Sequence, residues 1–273
     1  MNLQELITGA FAEDIPQGDI TTSALGVTDS HGLAHLIAKQ DLTLSGKDVF
    51  DQCLNFVDPD LKSRWNFQDG DSIYNGQTLC QIEGNLIQLL KAERVALNFL
   101  GHLSGIASKT HTFVKACEGT QCKILDTRKT LPLYRELSKK AVVDGGGTNH
   151  RMNLSDGILI KENHLQVGGG LEKTIAAVRT KTDLPIEVEV KNLDEVQQAI
   201  TLGVQRIMLD NMSMSEMAKA IGIIPQSIEV EASGNMTLDR IPQVAKLGVN
   251  FISVGALTHS VDCADISLLF DWS

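Results

Sequence analysis

Five short apolar runs in the second half of the chain each lead into side chains able to do chemistry. The first exits into Asp126-Thr127-Arg128-Lys129-Thr130, and the second ends at Lys161, followed by Glu162-Asn163-His164. The third carries Glu187 and Glu189, the fourth ends at Asp210-Asn211, and the fifth carries Glu229 and Glu231 before Ser233-Gly234-Asn235. Arginine presents a planar fork of donors that fits carboxylate and phosphate, and lysine adds a compact positive charge. With His150-Arg151 alongside, the set addresses small, strongly anionic substrates. Any one of these residues would also suit a structural ion pair. The repetition on run after run is what argues for a site. Two kinds of loop add backbone donors. Gly145-Gly146-Gly147 precedes Thr148-Asn149-His150-Arg151, and glycines let backbone approach a ligand, although a plain flexible loop has the same composition. Ser233-Gly234-Asn235 and Gly255-Ala256-Leu257 follow late runs and precede helical segments, where exposed N–H groups form a phosphate cradle.

For these groups to converge, the runs must be parallel strands whose C-terminal ends share one mouth. The periodicity agrees. After about Ser104, runs at Lys123–Asp126, Gly157–Lys161, Ile186–Val190, Arg206–Asp210, Ile228–Ala232 and Phe251–Gly255 alternate with helical patterns. The clearest helices are Leu171–Lys181, Leu193–Leu202, Ser215–Ile221 and Leu238–Leu247. Repeated βα units make either a barrel or an open doubly wound sheet. No GxGxxG follows the first strand, which weighs against a dinucleotide fold. The region spans roughly 130 residues against about 250 for a full eight-stranded barrel. The expected fold class is therefore α/β, with an incomplete barrel of six or seven strands. Along the third strand Glu187 and Glu189 share a face, and Glu189 lies nearer the mouth.

The first part of the chain lacks this regular alternation. Leu3, Leu6, Ile7, Ala10 and Phe11 sit at helical spacing before a Pro16-Gln17-Gly18-Asp19 turn. A strand at Leu33–Ala38 and a helix at Lys47–Phe56 follow. Two short strands come next, around Asp69-Gly70-Asp71 and Tyr74-Asn75-Gly76, then a long, mostly apolar helix from Leu86 to Leu103. This reads as an α+β domain over residues 1–104. The barrel takes residues 105–273, and roughly the last ten residues pack back on the first domain.

The formal charge of −10 opposes nucleic-acid binding, which leaves a basic footprint. The charge is nonetheless uneven. Between Gln121 and His164 eight basic residues face five acidic ones, net +3, which leaves −13 elsewhere. Such an island focuses anions into a cleft, though a solvated charged face has the same composition. No apolar run approaches the roughly 18–20 residues of a membrane span. The start, Met1 to Leu6, has neither a basic nor an apolar leader region, so a cytoplasmic enzyme is expected. Five scattered cysteines suit reduced thiols, and Cys117 and Cys122 lack the second ligand pair of a zinc site.

Taken in order, these residues resemble the quinolinate phosphoribosyltransferases, also called carboxylating nicotinate-nucleotide pyrophosphorylases. The resemblance runs through Glu13-Asp14 to Gly18-Asp19-Ile20-Thr21-Thr22, Ala92 to Asn98, Leu103 to Ala107, Leu125 to Thr130, Gly145 to Arg151, Leu159 to His164, Ile207 to Asn211 and Ser253 to Thr258. It implies a homodimer joining quinolinate and phosphoribosyl pyrophosphate to give nicotinate mononucleotide, pyrophosphate and carbon dioxide. It also implies that Arg128, His150, Arg151 and Lys161 meet the two carboxylates, with Arg94 reaching the partner subunit's site. By the same resemblance, Lys129 and Lys161 face the pyrophosphate and ring region, with Thr127 in the same strand-end motif. Glu189 and Asp210 would hold the ribose, and Ser233–Asn235 and Gly255–Leu257 the 5-phosphate. Magnesium would arrive with the diphosphate, and no organic cofactor is implied. One departure stands out: many relatives read Pro-Gly-Leu-Arg where this chain reads Pro132-Leu133-Tyr134-Arg135. Three other readings share these residues: a paralogous transferase with a different pyridine or pyrimidine-like acceptor, a Schiff-base aldolase using Lys161, and a ligand-binding protein without activity.

Overall fold

Asn2 accepts the Glu5 N–H at 2.9 Å while the Glu5 carboxylate accepts the Asn2 N–H at 2.8 Å, a reciprocal cap that starts α1 (Leu3–Asp14). Asp19 caps a second, short helix, α2 (Ile20–Ala24), by accepting the Thr22 N–H at 3.0 Å. The chain continues through β1 (His31–Ala38), β2 (Leu42–Thr43), α3 (Lys47–Val57), β3 (Lys62–Trp65), β4 (Ser72–Ile73), β5 (Thr78–Asn85) and α4 (Leu86–Lys115). Next come β6 (Lys123–Leu125), α5 (Arg135–Asp144), β7 (Ile158–Ile160), α6 (Glu162–Gly168), α7 (Leu171–Arg179) and β8 (Ile186–Val190). The chain ends through α8 (Leu193–Thr201), β9 (Arg206–Asp210), α9 (Met214–Ile223), β10 (Glu229–Ser233), α10 (Ile241–Lys246), β11 (Phe251–Ser253), α11 (Ala256–His259) and β12 (Ile266–Asp271). The computed structural model describes residues 2–271. Met1, Trp272 and Ser273, at the ends of the two expected domains, lie outside the described residues.

Two compact units emerge. The first gathers the chain up to His111, Leu131–Gly146 and the chain from Ser260 onward. The second holds Thr112–Thr130 and Gly147–His259. This division extends the first unit past residue 104 to His111 and gives it α5, while β12 joins the sheet of the first unit, as expected for the end of the chain.

In the first unit an antiparallel sheet runs in the order β12-β1-β5-β3. Alternation along β1 turns Ala34, Leu36 and Ala38 inward, and β5 contributes Leu79, Cys80 and Ile82. α3 buries Val49, Phe50, Cys53 and Leu54, and Phe56 stacks on Phe11 with ring centroids 4.7 Å apart. α4 runs on to Lys115 rather than stopping at Leu103. Its glycines serve packing instead of termination. A β-carbon on Gly105 would sit 2.2 Å from the Asp262 carbonyl oxygen, and one on Gly101 would sit 3.0 Å from that of Ala264. Gly145 is similar, since its β-carbon would meet the Ala107 carbonyl oxygen at 2.4 Å. The glycine triplet thus begins as a close approach between α5 and α4, and none of its members lines the cavity described below.

Leu133 takes up a left-handed backbone, φ 64°, and its side chain is exposed. That conformation costs an L-residue about 1–2 kcal/mol, and glycine returns part of the gain through its freer unfolded chain. Leu133→Gly is expected to stabilise the protein by about 0.5–1 kcal/mol, raising Tm by roughly 1–4 °C. A lower Tm in a thermal melt would show that the Leu133 side chain contributes more than its backbone costs.

The second unit is a parallel sheet in the order β6-β11-β10-β9-β8-β7. Thr148 bridges to Leu125 on the far side of β6 as the rudiment of a seventh strand. Among the described residues β7 pairs with β8 alone, so the barrel stays incomplete. Its strands are apolar on both faces, with Val188, Val190, Ile207, Leu209, Val230 and Ile252 buried, as expected where helices cover one side and barrel contents the other. Among the described residues no helix is long and apolar enough to cross a membrane.

Candidate active site

The C-terminal ends of the parallel strands open on a cavity of about 810 Å³, within the size range of ligand sites. Thr127, Arg128 and Lys129 reach it after β6, His150 and Arg151 after the Thr148 bridge, and Lys161 after β7. Glu189 comes from β8, Asp210 from β9, Ser233, Gly234 and Asn235 from the end of β10, and Gly255 and Ala256 from the loop after β11. Two of the expected residues lie elsewhere. Leu257 is fully buried outside the lining, and Arg94 is exposed on α4 in the first unit. Asn211, Thr237, Ser253 and His259 also line the cavity, and sequence reasoning passed over them as site residues.

Each group is held in place. Asp126, fully buried, accepts the His150 N–H at 2.9 Å and so ties the loop after β6 to the loop after Thr148. Arg151 donates from Nη1 to the Gly157 carbonyl at 2.9 Å. Lys129 is fixed through its backbone, where its carbonyl accepts the Thr258 hydroxyl at 2.7 Å. Lys161 caps α6 and pairs through Nζ with Glu189.

The end of the cavity formed by Asn211 and Ser233–Asn235 is built from backbone that few residues adopt. Asn211 (φ 55°), Gly234 (φ 90°) and Asn235 (φ 49°) are all left-handed, a conformation asparagine tolerates better than most. The Asn211 amide donates to Asp210 at 2.8 Å, and its side-chain oxygen accepts from Asn235 at 3.2 Å. A β-carbon on Gly234 would lie 2.3 Å from that same oxygen. Arg240 staples the two loops together, donating to the Met212 carbonyl at 2.7 Å and the Gly234 carbonyl at 3.2 Å.

Electrostatically the cavity is prepared for anions. Arg128, Lys129, Arg151 and Lys161 face Glu189 and Asp210 there. Burial and the charge of neighbouring Arg128 both lower the Arg151 pKa, with Glu187 pulling the other way.

Beneath the cavity lies a buried polar network. His150 Nε2 is 3.2 Å from Glu187 and 3.7 Å from Glu231, and Arg206 reaches Glu231 at 3.4 Å. The Ser253 hydroxyl donates to Glu231 as well. Among the described residues, His150, Glu187 and Glu231 form the one trio spaced to share a metal ion. The ring tautomer argues against that use. His150 Nδ1 accepts the Arg151 N–H at 2.7 Å, so the proton of the neutral ring sits on Nε2, the atom that would have to ligate. Burial, together with the Glu187 charge, pushes Glu231 up to about 7 despite the opposing pull of His150, Ser253 and Arg206. Burial works against a charged imidazole at His150, but the Glu187 hydrogen bond and both glutamate charges outweigh it and raise its pKa.

Comparison with known proteins agrees with this geometry. Residues 19–104 match the quinolinate phosphoribosyl transferase N-terminal domain, and residues 106–269 match the C-terminal domain of the same family. The chain is 38% identical to a mitochondrial quinolinate phosphoribosyltransferase (decarboxylating) 2b of Nicotiana tabacum, over 99% of this chain and 82% of the relative. It is 37% identical to a probable nicotinate-nucleotide pyrophosphorylase (carboxylating) of Bacillus subtilis, over 98% of this chain and 93% of the relative. The solved nicotinate-nucleotide pyrophosphorylase of Ehrlichia chaffeensis superposes with a TM-score of 0.95 at 36% identity, covering 99% of both chains. With both domains matched in order and strand-end cations, carboxylates and cradle loops around one cavity, the chain belongs to the quinolinate phosphoribosyltransferase family.

Proposed function

We propose that the protein transfers the phosphoribosyl group of phosphoribosyl pyrophosphate to the ring nitrogen of quinolinate. The 2-carboxylate leaves as carbon dioxide, and nicotinate mononucleotide and pyrophosphate are released, a step of NAD biosynthesis. The observation that carries this reading is the meeting of Arg128, Lys129, Arg151 and Lys161 with Glu189 and Asp210 in one cavity large enough for both substrates. Arg128, Arg151 and Lys161 neutralise the two carboxylates, with His150 beneath them. Lys129 faces the diphosphate. Glu189 and Asp210 hold the ribose hydroxyls and oppose the positive charge that grows at the anomeric carbon. Backbone N–H groups of Ser233–Asn235 and of Gly255 and Ala256 cradle the 5-phosphate. Magnesium enters with the diphosphate, whose oxygens suit it better than an all-protein cage. The test is an assay of purified protein with magnesium, phosphoribosyl pyrophosphate and either quinolinate or nicotinate. Nicotinate mononucleotide is expected from quinolinate. Equal or faster turnover of nicotinate would move the acceptor to a monocarboxylate, the paralogue reading.

The protein works as a cytoplasmic homodimer on this reading, a placement that five unpaired cysteines support. Arg94, exposed on α4, completes the partner subunit's site. Arg94→Ala and Lys161→Ala should each be nearly inactive, and an equilibrated mixture should recover about a quarter of wild-type activity through hybrids with one intact site. No recovery after verified subunit exchange would remove Arg94 from the partner's site.

A further inference from the structure

The buried network under the cavity has a charge it cannot balance alone. With the imidazole neutral, Glu187 and Glu231 set two negative charges against the single positive charge of Arg206. The Glu187 carboxylate keeps one oxygen, Oε1, buried without a hydrogen-bond partner. Glu187 on β8, Arg206 on β9 and Glu231 on β10 act on His150 directly, and Asp126 accepts its N–H; Glu229, Ser253, Arg128 and Arg151 adjoin these groups in turn. Arg206 also pairs with Glu229 at 2.7 Å, so its charge is shared with a third carboxylate. An unmet negative charge directly below a dianion site opposes binding unless it is cancelled. The ring cannot cancel it through Nδ1, because that nitrogen already accepts the Arg151 N–H. Glu231 can, by taking a proton where its carboxylate is fully buried beside Ser253 and Arg206.

We propose that binding of a pyridine dicarboxylate above this floor draws a proton into the His150–Glu187–Glu231 network, making Glu187 and Glu231 positioning residues for that substrate. The inference rests on quinolinate being the acceptor. The proton lodges on Glu231, His150 keeps its Nε2–H and its orientation, and the floor becomes neutral as the ligand's second carboxylate settles. The network behaves as one titrating unit rather than as three separate groups. The neutral-range value of Glu231 in the free protein accords with a proton that moves near pH 7.

The sign follows from linkage. The ligand raises the network's proton affinity, so binding takes up protons, and affinity is lost as pH rises through the ligand-bound value. Quinolinate does not confuse the measurement, since both of its carboxyl groups are ionised well below pH 6.5. The experiment is calorimetric titration of the whole protein with quinolinate at pH 7.5, in buffers of widely different ionisation enthalpy. The slope of apparent enthalpy against buffer enthalpy counts protons. Uptake of about half to one proton per site is expected, with Kd rising up to about tenfold per pH unit at the alkaline end. Glu187→Gln removes one of the competing charges, so its proton count should fall toward zero and its Kd should flatten between pH 6.5 and 8.5. A residue that only held the fold would leave the count unchanged. Quinolinate binding to wild type without proton exchange would overturn the proposal, and so would a folded Glu187→Gln protein with an undiminished count. Should Glu187→Gln fail to fold, the wild-type count decides alone, with Glu231→Gln as the second variant. Absence of any quinolinate binding would instead overturn the acceptor assignment on which the proposal stands.

Discussion

Glu189→Gln is expected to lower kcat by about 10²–10³-fold while changing the affinity for quinolinate far less. The side chain reaches the cavity from β8, nearly buried, with Lys161 as its partner. Phosphoribosyl transfer loosens the bond to pyrophosphate before the new bond to nitrogen is complete, so positive charge gathers on the ribose ring. A fixed carboxylate in a poorly solvated site acts on that charge only as it develops, and removing one such group typically costs about 3–4 kcal/mol of transition-state stabilisation. Glutamine preserves shape and hydrogen bonding but not charge. The loss should therefore fall on the chemical step, not on ground-state binding. Single-turnover kinetics with bound substrates would separate the two. A kcat within threefold of wild type would leave Glu189 as a partner for Lys161 and no more.

Carbon dioxide should be released from quinolinate only in the presence of phosphoribosyl pyrophosphate, an all-or-none effect. Losing the 2-carboxylate leaves an electron pair in the plane of the ring, which a neutral pyridine nitrogen stabilises poorly. Once ribosylated, the nitrogen carries a positive charge next to that pair and stabilises it as an ylide. The substrate thus makes its own electron sink. On the proposed reading, the cavity supplies neutralisation of both carboxylates by Arg128, Arg151 and Lys161, which line it, and carboxylates of its own for the ribosyl step. Label at the 2-carboxylate should appear as carbon dioxide with both substrates and magnesium present. Label released by enzyme and quinolinate alone would reverse the order of bond changes.

The barrel was legible because its strands are buried on two sides, which writes them as uninterrupted apolar runs. Ile186–Val190 and Arg206–Asp210 appear in the structure at the residues the runs indicate. The strand-end residues were legible for the same reason, since parallel strands leave few other places for Lys161 or Asp210 to go. What escaped depended on partners distant in sequence. Gly105 reads as a helix breaker until the Asp262 carbonyl is found against it, and Gly145 reads as a ligand loop until α4 is found beneath it. Composition cannot say whether a bare α-carbon faces a substrate or another helix. Asp19 reads as the end of a turn because the Thr22 N–H it caps begins a helix too short to show a period. Glu187 and Glu231 were visible as carboxylates carried on their strands. Their meeting with His150 was not, because that side chain arrives from a loop with no periodicity.

The pairing of β12 with β1 has a consequence for how the chain is made. Leu33 lies opposite Asp271 and Ala38 opposite Ile266, so the first sheet waits for a strand translated more than 200 residues later. At about 5–20 residues per second that delay is roughly 10–50 s, far longer than a hairpin needs to form. Throughout synthesis β1 can pair with β5 on one side while its other edge stays bare. A bare edge of this kind is a template for other nascent chains on the same message. Ribosomes stalled anywhere between α4 and residue 266 therefore hold an open sheet that only a chaperone or the arriving tail can close.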